Sequence, residues 1–153
     1  MAVRVQAEDF DAGQELVRLS AGRHSIGAVV CFVGLVRDLG GEAALRAMTL
    51  EHYPGMTERQ LQALEAEARQ RWPLEDVLIV HRHGRLEPGA QIVLVLTASA
   101  HRQAAFESAA FLMDWLKTRA PFWKQEENLR GEAHWVDARE TDDAAAARWG
   151  NLA

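Results

Sequence analysis

The residues best suited to chemistry cluster between Ser99 and Lys124. Counting full charges, this stretch sets Arg102, Lys117, Arg119 and Lys124 against Glu107 and Asp114, an excess of positive charge in a chain whose net charge is −5. Ser99 reads as the N-cap of a helix, which puts His101 and Arg102 in its first turn, where the dipole disfavours cations by up to about 1 kcal/mol. A guanidinium and an imidazole beside free backbone N–H groups suit a phosphate, or both side chains simply point into water. Lys117 falls near the C-terminus of the same helix, where a cation is favoured without any further role. Lys124 stands in Pro121-Phe122-Trp123-Lys124, an aromatic-flanked strand expected to pack close to the domain body. A partly desolvated lysine there can act as acid, base or nucleophile, or it can snorkel.

Three other features carry weaker signals. Arg37 ends an apolar strand ahead of a glycine-rich turn, which suits either anion binding or plain solvation. His81-Arg82-His83 places two imidazoles on one strand face, but no third ligand is evident, so no metal is expected. Cys31, mid-strand between Val29 and Val33, reads as an inert buried thiol, and as the single cysteine it excludes an internal disulfide and any CxxC site.

These residues must be positioned by a mixture of strands and helices. Val3 to Gln6 reads as a strand and Asp9 to Ala21 as a helix closed by Gly22, with Leu16 and Leu19 on its apolar side. Ile26 to Arg37, almost wholly apolar, reads as a strand buried on both faces, and Leu45 to Tyr53 as its hairpin partner across Asp38-Leu39-Gly40-Gly41. Thr57 is the expected N-cap of a helix ending at Trp72 before Pro73, with Gln60 completing a capping box. Asp76 to His83 and Gln91 to Ser99 read as strands separated by a turn region with Pro88-Gly89. A helix from His101 to Thr118 carries Ala105, Phe106, Ala109, Leu112, Met113 and Leu116 on its apolar face and ends before Pro121. Phe122 to Glu126 and His134 to Arg139 form a last strand pair. Without regular βαβ alternation the class is α+β: a single domain over residues 1–140, with a largely antiparallel mixed sheet against about three helices, and a mobile or weakly helical tail over 141–153.

With 153 residues, 48% hydrophobic and 25% charged, the composition is that of one soluble globular domain. The acidic balance argues against a nucleic-acid backbone as the main partner. No apolar run reaches the ~18–20 residues that cross a bilayer, and the N-terminus lacks the apolar stretch of a signal peptide, so a cytoplasmic location is expected. GxxxxGK[ST], GxGxxG, HExxH and GxSxG are all missing, which removes the usual support for P-loop, dinucleotide, zincin and α/β-hydrolase chemistry.

Several phrases together resemble the catalytic (large) subunits of molybdopterin synthase. They are Gly27-Ala28-Val29-Val30 leading to Gly34-Leu35-Val36-Arg37, Leu50-Glu51-His52-Tyr53-Pro54-Gly55-Met56-Thr57-Glu58, Ser99-Ala100-His101-Arg102, and, most specific, Leu116-Lys117-Thr118-Arg119-Ala120-Pro121-Phe122-Trp123-Lys124. The resemblance implies a hammerhead-like α/β fold and a sulfurtransferase. Its sulfur would arrive as a thiocarboxylate on the C-terminal Gly-Gly tail of a small ubiquitin-like subunit and pass to cyclic pyranopterin monophosphate, forming the dithiolene of molybdopterin. It further implies a homodimer within a heterotetramer, with no cofactor, metal, nucleic acid or membrane. Lys117 and Lys124 would be catalytic. Leu35, Val36, Arg37, His101, Arg102, Lys117, Lys124, Gln125 and Glu126 would contact substrate, with Leu35 and Gln125 standing where some relatives carry basic residues. His101 and Arg102 are expected near the dimer interface, serving the neighbouring protomer's pocket. Two rival readings remain open at this level: a non-catalytic binding module for a ubiquitin-like sulfur carrier, and a phosphate-ester enzyme without a protein partner.

Overall fold

The computed structural model describes residues 2–38, 40–41, 44–119, 122–136 and 140–150. Twelve elements follow in order: β1 Val3–Gln6, α1 Ala12–Ser20, β2 Ala28–Leu35, β3 Leu45–His52, α2 Met56–Arg71, β4 Leu74–Arg82, β5 Gly84–Leu86, β6 Gln91–Ser99, α3 Arg102–Arg119, β7 Phe122–Asn128, β8 Ala133–Val136 and α4 Glu140–Ala147. The strands form two four-stranded sheets, ordered β1-β4-β6-β2 and β5-β3-β7-β8. Among the strand pairs of the described residues only β1–β4 is parallel. The α+β single-domain class holds, with two sheets and four helices in place of one sheet and about three.

The continuous apolar run Ile92-Val93-Leu94-Val95-Leu96 makes β6 the buried centre of the first sheet, between β4 and β2, as expected of a strand covered on both faces. One face packs Leu78, Val80, Leu94, Leu96 and Ala98 against Phe10 and Leu19 at α1. The other face meets α2, α3 and the second sheet through Val77, Ile79, Val95, Leu61, Leu64, Phe111, Leu112, Met48 and Leu50. Thr97 ties β6 to α3, its hydroxyl donating 2.7 Å to the Ala105 carbonyl.

The expected hairpin of β2 with β3 does not form. β2 pairs with β6, and β3 pairs with β5 and β7. The residue after β2 explains this: Val36 N–H donates 2.9 Å to the Ala90 carbonyl, and Gly89 N–H donates 2.7 Å to that of Val36. The chain is thus held against the loop before β6 and crosses to the second sheet only afterwards. β2 is therefore an edge strand, with Phe32 and Leu35 exposed. Cys31, expected to be buried, is exposed there too. Neighbouring apolar surface still pushes its thiol pKa up, which disfavours the reactive thiolate.

Other local differences have physical causes. The N-cap of α2 is Gly55, whose φ of 85° suits glycine. The Glu58 carboxylate accepts the Gly55 N–H at 2.5 Å, while the buried Thr57 hydroxyl accepts that of Tyr53 at 3.0 Å. The region before β6 contains the short strand β5, paired with β3. On α3, Phe106 is exposed, whereas Phe111 and Trp115 are buried, because the helix packs against α2 and α4 as well as the sheet, with Phe111 meeting Trp72 and Trp149. The stretch after Thr141, expected to be weakly helical or mobile, is helix α4 with Ala146 buried. Its end is fastened by Trp149, whose indole N–H donates 2.6 Å to Asp114 and whose ring meets Trp72 and Phe111 edge-on. Leu39, Ala120, Pro121 and 137–139, which carried the expected turns and the end of the last strand, lie outside the described residues.

Candidate active site

Strand directions bring most of the expected site residues to one end of the molecule. β6 runs antiparallel to β2 and β4, so its first residues lie opposite the last ones of both: Gln91 faces Leu35 and Val93 faces His81. Val36 is buried and backbone-bonded there, Leu35 is exposed on the β2 edge, and Arg37 projects into solvent. α3 returns along the sheet from the end of β6, so its last turn carries Lys117 back to the same end, where its charge acts on His81. β7 then begins with Phe122, whose ring lies flat on the His81 imidazole, centroids 3.8 Å apart and planes 17° apart.

The pleat of β7 sorts the next residues. Leu50 lies opposite Lys124 and Met48 opposite Glu126, and both partners are core residues. Phe122, Lys124 and Glu126 thus share the inward face, and Trp123 and Gln125 the outward one. Lys124 is partly buried. The Gln125 side chain is not brought together with Lys124: it faces outward beside Trp135, and its backbone lies between β3 and β8. Trp123 is exposed and meets Tyr53, ring centroids 5.9 Å apart.

His101 and Arg102 lie at the opposite end. Lys117 is sixteen residues further along the chain, almost all of them in α3, which at 1.5 Å per residue is about 24 Å. Both side chains are exposed. α3 begins at Arg102, so Ser99 lies ahead of the position expected of it as cap; its buried hydroxyl donates 3.0 Å to the Pro73 carbonyl and accepts the His101 N–H at a long 3.5 Å. No acidic residue occupies the first turn of α3.

The electrostatics single out a few groups. Several arginines are held in ion pairs, such as Arg4–Glu15, Arg23–Asp76 and Arg148–Asp114. By contrast, the Arg37 and Arg102 guanidiniums and the Lys124 ammonium have no ion-pair or hydrogen-bond partner among the described residues. Burial, with Lys117, His83 and His52 nearby, pushes the His81 pKa down to about 4 despite a hydrogen bond to the Arg82 carbonyl. The two histidines of His81-Arg82-His83 go to different partners, His81 to Phe122 and His83 to His52, whose ring is 4.2 Å away. No cluster of three or more His, Cys, Asp or Glu suited to a metal occurs among the described residues.

Two signals in the sequence were open to a closer reading. Lys117 and Lys124 are the only lysines among 17 lysines and arginines. Arginine cannot release a proton near neutral pH and lysine can, so their placement is selective. His81 is in phase with Val77 and Ile79 along β4, which marks its side chain as inward-facing.

An α+β domain with partly unpaired cations at its sheet ends is suited to binding an anion, and comparison with known proteins shows its family. Residues 5–119 match the family model described as "MoaE protein". The molybdopterin synthase catalytic subunit of Pseudomonas aeruginosa is 58% identical over 149 residues, covering 97% of this chain and 99% of its own. A solved MoaE protein of molybdopterin biosynthesis from Burkholderia ambifaria superposes with a TM-score of 0.83 at 56% identity, covering 99% of each chain. A complex of subunits 1 and 2 of molybdopterin-converting factor from Helicobacter pylori shares the fold, with a TM-score of 0.75, 18% identity and coverage of 91% and 92%. The chain belongs to the MoaE family of molybdopterin synthase catalytic subunits. Its activity class is that of a sulfurtransferase in molybdenum cofactor biosynthesis.

Proposed function

We propose that the end of the molecule holding Arg37, Lys117 and Lys124 takes sulfur from the C-terminal thiocarboxylate of a small ubiquitin-like subunit and delivers it to cyclic pyranopterin monophosphate in the cytoplasm. The observation that carries this reading is that, of the chain's only two lysines, Lys117 acts on the His81 ring and Lys124 stands two residues beyond the Phe122 stacked on it, at the end where Arg37 projects without a partner among the described residues. The thiocarboxylate sulfur attacks a carbon of the precursor and forms the new C–S bond, so no cysteine nucleophile is needed. One lysine supplies the proton taken up by the oxygen leaving the precursor. Water then adds to the thioester carbon, and the other ammonium stabilises the oxyanion formed there. Breaking the acyl C–S bond leaves sulfur on the pterin and a carboxylate on the tail, and a second charged tail repeats the transfer. Arg37 holds the phosphate or the pterin through charge-assisted hydrogen bonds, and Val36, Leu35 and Glu126 line the approach.

His101 and Arg102 cannot reach this end of the molecule within one chain. In a homodimer carrying two small subunits they serve the site of the neighbouring copy, and the partner in the H. pylori complex is the model for the small subunit. The experiment is reconstitution: this chain, a thiocarboxylated small subunit and the precursor should yield molybdopterin. Tail binding without turnover would instead favour a non-catalytic carrier-binding module.

A further inference from the structure

His81 is the one buried histidine among the described residues, and the proposed chemistry leaves it without a role. Three elements meet at its ring. Its Nδ1 lies 2.8 Å from the Arg82 carbonyl oxygen. Because a carbonyl can only accept, the neutral ring carries its proton on Nδ1. One ring face lies on Phe122 at 3.8 Å, and Phe122 shares the inward face of β7 with Lys124 two residues on. From α3, the Lys117 charge reaches the same imidazole. The other groups facing it are His83, which follows β4, and His52 at the end of β3, itself 4.0 Å from Glu58. The start of β7, which carries Lys124, is thus seated on an uncharged ring that also feels the Lys117 charge.

We propose that His81 is a positioning residue for the lysine pair: its neutral, backbone-clamped imidazole seats the start of β7 through Phe122, and so Lys124, while offering Lys117 a neighbour that does not repel it. This rests on the sulfur-transfer reading of the site. The ring has to be flat, buried and uncharged. Alanine removes the seat, a phenylalanine keeps a flat neutral ring, and protonation of histidine places a second positive charge beside Lys117.

The test uses the full chain with thiocarboxylated small subunit and precursor, assayed well below the thermal midpoint of each variant. His81→Ala should lower kcat at least tenfold with KM for the precursor within about twofold, and His81→Phe should recover kcat to within about threefold of the parent. Because the chain has only two lysines, lysine labelled with 13C gives two ε-carbon signals, assigned with Lys117→Ala. The Lys117 signal should show an inflection near pH 4, where His81 charges, and His81→Phe should lack it. A His81→Ala enzyme with normal kcat, a His81→Phe enzyme as slow as His81→Ala, or an unchanged Lys117 inflection in His81→Phe would overturn the proposal. Lys117→Ala and Lys124→Ala, assayed alongside, separate the two levels: near-normal turnover in both refutes the lysine reading itself, whereas loss of turnover in either, with any of those outcomes, refutes only the role of His81.

Discussion

Leu50 of β3 and Lys124 of β7 face one another across the second sheet in antiparallel register. A core leucine thus sets the face on which the lysine emerges. Shifting β7 by one residue would send Phe122, Lys124 and Glu126 outward and bring Trp123 and Gln125 in. The register that buries Leu50 and Met48 is the same one that puts Lys124 on the inward face of β7.

Acid stability should report on His81. Its pKa in the folded chain, about 4, lies below the ordinary 6.5, so the unfolded chain takes up the proton first. The associated stability is complete above pH ~6.5 and is lost as pH falls through about 4, about 3 kcal/mol in all. Denaturant melts of the parent and His81→Phe between pH 7 and 4 should show a shallower acid loss in the variant; parallel curves would contradict the assignment.

Gly27→Ala should destabilise the end that carries His101 and Arg102. A Cβ on Gly27 would sit 2.1 Å from the Ala100 carbonyl oxygen, and the backbone there is also tied by the Gly27 N–H to the Ser99 carbonyl at 3.0 Å. Relieving the overlap requires backbone movement, at a cost of about 1–3 kcal/mol. A thermal midpoint equal to the parent's would show that the close approach is not maintained in solution.

Cys31→Ala should keep nearly all sulfur transfer, because in the proposed mechanism the sulfur comes from the partner's tail. The thiol is exposed on an edge strand and its pKa is pushed up, so the change should also cost little stability. A folded variant without turnover would mean that the chain itself carries the sulfur.

Arg37→Ala and Arg102→Ala should each weaken precursor binding by about tenfold or more, the scale of a lost charge-assisted hydrogen bond. Small-subunit association should stay unchanged. Calorimetry with precursor and with small subunit, run separately, distinguishes the effects, and unchanged precursor affinity in both variants would remove the anion site.

Some of this was legible in the sequence, for identifiable reasons. β6 declared itself from Gln91 to Ser99 because a strand buried on both faces needs an unbroken apolar run, and α2 ends at Arg71, with Trp72 extended as its cap, because Pro73 cannot continue a helix. The separation of His101 from Lys117 was present in the helical rise alone. Strand pairing was not, since the apolar pattern of β2 does not say which neighbour it joins, and adjacency in sequence favours the hairpin that the Val36 backbone bonds prevent. The exposure of Cys31 and Phe32 follows from that same edge position. The role argued for His81 depends on a ring stack between strands of different sheets, which no local pattern carries.

Single-turnover sulfur transfer by Lys117→Ala and Lys124→Ala, with thiocarboxylated small subunit and precursor in a rapid-mixing assay, tests the lysine chemistry most directly. Each variant should lose transfer by a hundredfold or more, about 3 kcal/mol of transition-state stabilisation, with an unchanged thermal midpoint and unchanged small-subunit affinity. Near-normal transfer in both variants would contradict it and leave the chain as a docking platform for the carrier.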